Sequence, residues 1–87
     1  MEKKEERTEN LMLQRLMSLL PEYTTKCSTA QHKSVQHNAF DDPKECWCCW
    51  VMDAEGNKHF AMYFDLTDEV KVVSEEKRKS YIVKQIK

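Results

Sequence analysis

The sequence predicts an α+β fold in which an N-terminal helix packs on a small antiparallel β-sheet centred on a hairpin at residues 45–66. Three observations carry that expectation. An apolar stripe at helical spacing occupies residues 9–20, and two β-favouring runs flank the only glycine, Gly56. The third is composition: 87 residues, 40% hydrophobic and 33% charged, with one Gly and two Pro. That balance fits a folded single domain over residues 1–87, with too few turn residues for a many-stranded sandwich or barrel.

Residues 1–9 are charged throughout and read as a frayed segment. Leu13, Leu16, Met17 and Leu20 then follow the i, i+3, i+4, i+7 rule, with Asn10, Gln14, Arg15 and Ser18 facing away. Thr8 is the expected N-cap, and Pro21 ends the helix because its ring disfavours helical geometry in the residue before it. Leu11, Met12 and Leu19 widen the stripe, which implies contacts on more than one side of the helix. Residues 22–44 show no sustained period and read as irregular or partly helical. Ser28–Asn38 is the candidate second helix, and Asp41-Asp42-Pro43 a turn.

The hairpin is the clearest signal. Gly56 falls where a type I turn followed by a left-handed residue requires one. Pairing Asp53 with Asn57 sets Val51 opposite His59, Trp50 opposite Phe60 and Trp47 opposite Tyr63. Alternation then gives two faces. One carries Cys46, Cys48, Trp50, Met52, Phe60, Met62 and Phe64; the other carries Trp47, Cys49, Val51, His59, Ala61 and Tyr63. Val70–Val73 is a third strand. Tyr81–Lys87 reads as a fourth, hairpinned to the third, with a helix capped by Ser74 as the alternative.

Both hairpin faces are apolar, whereas a sheet with one solvated side should alternate apolar with polar. The expectation is that the helix covers the Cys46 face. The Trp47 face is then left for residues 22–44 or for another protein, including a second copy. The leading functional expectation is therefore a non-enzymatic protein-binding module, acting as inhibitor, adaptor or homo-oligomer. Its contact residues would be Trp47, Val51, His59 and Tyr63 with Leu11, Met12 and Leu19 on the spare side of the helix.

Two alternatives have their own residues. Trp47 and Tyr63 could serve as a stacking platform for single-stranded nucleic acid, with Lys77, Arg78 and Lys79 for the phosphates. The formal net charge of −1 gives no global attraction to such a polyanion. Between Thr67 and Lys87 six basic residues stand against only four acidic ones, a mild local excess. Cys27, His32, His37, Cys46 and Cys48 could together form a zinc site, but no second C-x-x-C is present. The cysteines read instead as small buried hydrophobes, with no cofactor expected. No Gly-rich phosphate loop, H-E-x-x-H or G-x-S-x-G is present, so an enzyme is not expected.

The acidic N-terminus and the interrupted apolar run Leu11–Leu20 resemble neither an export signal nor a membrane span, so the expected location is cytoplasmic. No stretch carries a family signature. In size and style the chain is similar to small accessory and inhibitor proteins of phages and mobile elements.

Overall fold

A computed structural model describes residues 8–37 and 40–86. The order is α1 (Glu9–Ser18), β1 (Gln31–Gln36), β2 (Lys44–Met52), β3 (Lys58–Phe64), β4 (Glu69–Ser74), α2 (Glu75–Arg78) and β5 (Ile82–Gln85). The strands form one sheet in the spatial order β4-β3-β2-β1-β5, with every neighbouring pair antiparallel. This is the expected α+β architecture.

Helix α1 starts where its cap chemistry dictates. The Thr8 side chain accepts a hydrogen bond from Leu11 N at 3.1 Å, satisfying one of the amides a helix start leaves unpaired. The frayed segment expected over residues 1–9 lies outside the described residues for 1–7; Thr8 and Glu9 belong to the helix start. Regular helix stops at Ser18, two residues before the expected end at Leu20.

The hairpin takes the register its turn imposes, from Trp47↔Tyr63 to Met52↔Lys58. Gly56 has φ 87° and donates its N–H to Asp53 O at 3.0 Å, while Asp53 N–H donates to Asn57 O at 3.0 Å. The Asp53 carboxylate ties the turn further. Oδ1 accepts the N–H groups of Glu55 and Asn57, both at 2.9 Å, and Oδ2 lies 2.9 Å from His59 Nε2.

Those contacts, His59 first and the Asn57 amide second, hold the Asp53 carboxyl down at about 2. A depressed folded value makes the stabilisation complete above the usual carboxylate value of about 3.9. It is lost as pH falls from there through about 2. Acid titration followed by circular dichroism should therefore show stability falling across that window. Asp53→Asn should flatten the fall.

Three expectations need correction. Residues 28–37 are not a helix: Gln31–Gln36 form β1, which lies inside the sheet between β2 and β5, and the expected helix's last residue, Asn38, lies outside the described residues. A helix there would have had Val35 as its one strong apolar anchor. As a strand, Val35 is 5% exposed in a buried cluster, and ladders on both sides satisfy the backbone. Second, residues 82–85 are a strand but do not hairpin with β4; they pair with β1 at the opposite edge. The connection crosses the sheet through α2 and buries Tyr81, 8% exposed, against Val35 and Met62.

The third correction concerns the helix. It packs on the Trp47 face, not the Cys46 face. Met12, Leu13, Leu16 and Leu20 join Trp47, Cys49, Val51, Ala61 and Tyr63 in one buried cluster. Apolar patterning could not choose between two oily faces, but a polar handle does favour this one. The Tyr63 hydroxyl donates to Asp68 and also hydrogen-bonds Arg15 of α1, so the ring is buried with its polar end satisfied.

Candidate functional site

With α1 on one side, the other side of the sheet is the Cys46 face, where Cys46, Cys48, Phe60 and Met62 are buried with Val35, Val73 and Tyr81 in a second core cluster. Its only cover among the described residues is the crossover over residues 75–81, whose helix has four residues and buries none of them. Two concave regions lie on this side, one lined by Tyr81 and the other by Arg78.

The larger is an open groove of about 1090 Å³ beside β3 and β1. Val35, Met62, Phe64 and Tyr81 provide apolar lining, and Leu66, 90% exposed, stands with them. Phe40, next in the chain to the lining residue Asp41, is 96% exposed. The charged lining is mostly acidic, with Asp41, Asp42, Glu45 and Glu69 against Lys44 and Lys71. Lys71 Nζ lies 5.8 Å from the Tyr81 ring centroid, fixing part of the wall.

The smaller is a notch of about 180 Å³ on the other side of the crossover. Trp50 and Phe60 meet edge to face at 5.0 Å in its wall. Arg78 lies over Phe60 at 5.1 Å, and Lys33 enters from β1. Cys27 lies at this notch, on the segment that bridges to β2 through Thr24 and Met52, with its thiol 4.0 Å from Trp50 O.

The residues expected to bind a partner lie elsewhere. Trp47, Val51 and Tyr63 are 5%, 1% and 1% exposed beneath α1, and Met12 is 3% exposed against them. They are core, so the face assigned to a partner is already covered by the chain's own helix. Leu11 is half-buried beside the same cluster, and Leu19 is 40% exposed. His59 is half-buried at the hairpin end, held by Asp53 and touched edge-on by Tyr23 at 5.6 Å.

The nucleic-acid set is split by the sheet. Trp47 and Tyr63 do pair directly, but both are buried, while Arg78 lies on the opposite face with Phe60. Lys77 is exposed, and Lys79 Nζ is 3.8 Å from Glu76. The zinc set is split as well. Cys46 and Cys48 share a face with their sulfurs 3.4 Å apart, yet His32 stacks on Trp47 of the other face at 4.3 Å. His37 sits by Tyr81 and Asp41, and Cys27 lies at the notch. Among the described residues, no three His, Cys, Asp or Glu side chains converge as a metal site.

Cys46, Cys48 and Cys49 are buried as small hydrophobes, as expected, whereas Cys27 is exposed. The Cys46 hydrogen bond, then burial, pushes Cys48 far up, and burial pushes Cys49 up to about 11. Residues i and i+2 of a strand lie about 6.6 Å apart, at the limit for a disulfide, so the extended backbone also disfavours joining Cys46 to Cys48.

Sequence reasoning missed Lys33, Trp50, Phe60 and Arg78 as a group, and Leu66 as an exposed anchor. The alternation of the hairpin did put Trp50 and Phe60 on one face. What it lacked was the knowledge that α1 takes the other.

No protein-family model, curated protein or solved structure matches the chain. Among the described residues, no helix is long and apolar enough to cross a membrane.

Proposed function

We propose that the chain is a small, non-enzymatic protein-binding module that seats a partner segment in the groove beside Phe64 and Tyr81. The observation that carries this reading is Leu66. A leucine 90% exposed at the rim of an apolar groove supplies an anchor that costs free energy until something covers it. The fitting occupant is an amphipathic segment with apolar anchors and basic flanks, because carboxylates outnumber ammonium groups in the lining. Cys48 and Cys49, buried with their thiols pushed up, are poor nucleophiles, which supports binding over catalysis.

The test uses two labelled amphipathic peptides of equal length, one built from Leu and Lys and one from Leu and Glu, read by fluorescence polarisation. The Leu/Lys peptide should bind, the Leu/Glu peptide should not, and added salt should weaken the complex. Leu66→Ser should weaken binding on the order of tenfold, the scale of losing one buried leucine contact. Equal binding of both peptides, or a Leu66→Ser protein that binds unchanged, contradicts the reading. Light scattering on the free chain distinguishes self-association: a dimer that Leu66→Ser dissolves would make a second copy the occupant instead.

A further inference from the structure

The notch on the far side of the crossover has a different chemistry from the groove, and the geometry points to a second binding site there, one for a phosphate monoester dianion. Two cations line it, Lys33 and Arg78, and neither pairs with a carboxylate among the described residues. The acids closest in sequence to Arg78 are engaged elsewhere. Glu75 lies 3.9 Å from Lys58 Nζ, and Glu76 lies 3.8 Å from Lys79 Nζ.

A second observation is independent of charge. Arg78 Nε is buried and has no hydrogen-bond partner. An unpaired, buried guanidinium N–H is a donor lacking its acceptor, and a planar guanidinium suits the paired oxygens of a phosphate. Stacking on Phe60 at 5.1 Å holds that plane in place before a ligand arrives.

Charge count selects the ligand class. Two cations balance a phosphate monoester near neutral pH, where it carries close to two negative charges. A carboxylate would leave one cation uncompensated. The volume of about 180 Å³ suits a phosphate with a small organic group, and the Trp50–Phe60 wall gives that group an aromatic surface.

Trp50 is a built-in reporter, since it lines the notch while Trp47 is buried on the opposite face. Tryptophan emission should therefore be titrated with phenyl phosphate, inorganic phosphate and benzoate at constant ionic strength. Phenyl phosphate should give a saturable change and bind at least about tenfold tighter than benzoate, with inorganic phosphate also competing. Arg78→Gln and Lys33→Gln should each weaken phenyl phosphate about tenfold or more. Lys79→Gln, at an exposed residue outside the notch, should not. Because Arg78→Gln also removes the contact with Phe60, Lys33→Gln serves as the variant that leaves the wall intact. The site is refuted if the wild-type chain gives no saturable response, if benzoate binds as tightly, or if Lys79→Gln loses as much as Lys33→Gln.

Discussion

Trp47→Ala should cost about 3–5 kcal/mol of folding stability, the range for truncating a large buried aromatic. Trp47 is 5% exposed and packs in the cluster that joins α1 to β2 and β3, with the His32 ring stacked on it at 4.3 Å. The cavity left behind could be filled only by moving the helix or the strand. In a domain this small, total stability sits near the low end of about 5–15 kcal/mol, so the variant should be largely unfolded at moderate urea. Urea denaturation followed by circular dichroism checks this. A midpoint that barely moves would mean the indole does not sit under the helix.

Leu16→Ala should have a comparable effect, about 2–5 kcal/mol. Leu16 is fully buried, at 0% exposure, and lies at the centre of the stripe α1 lays on the sheet. Its loss acts on one contact in particular, the seating of α1 over Val51, Ala61 and Tyr63. The variant should therefore expose the Trp47 face and bind an apolar dye that wild type excludes there. Thermal melting gives the magnitude. Leu19→Ala, 40% exposed one turn later, provides the contrast and should shift the melt only slightly.

Much of the architecture was legible because it rests on short-range chemistry. The Thr8 cap, the stripe through Leu16 and the turn at Gly56 are each local, and each took the form its residues require. The hairpin register followed from the turn, since one glycine with positive φ fixes every pair from Met52↔Lys58 to Trp47↔Tyr63.

What was not legible depends on partners distant in the chain. Gln31–Gln36 has weak strand propensity of its own and becomes a strand because β2 and β5 pair with it on both sides. The choice of face was hidden for a related reason. Both sides of β2 are apolar, so nothing in the alternation says which one α1 should cover. The candidate site inherits that ambiguity: the alternation puts Trp50 and Phe60 on one face, and that face is a core side as expected, but the crossover covers it and α1 does not. Arg78 and Lys33 converge on it only because the crossover carries β5 to the edge of β1.

Which tryptophan meets solvent reports directly which side of the sheet α1 covers. Single-tryptophan proteins, Trp47→Phe and Trp50→Phe, allow each indole to be read alone by collisional quenching with acrylamide, iodide and caesium. The emission of Trp50 should be quenched readily, and more by iodide than by caesium, because Lys58 sits 4.8 Å over its ring and Lys33 and Arg78 line the same notch. That of Trp47 should be blue-shifted and nearly insensitive to all three. The reverse order, with Trp47 quenched and Trp50 protected, would put the helix on the wrong side of the sheet and remove both proposed sites.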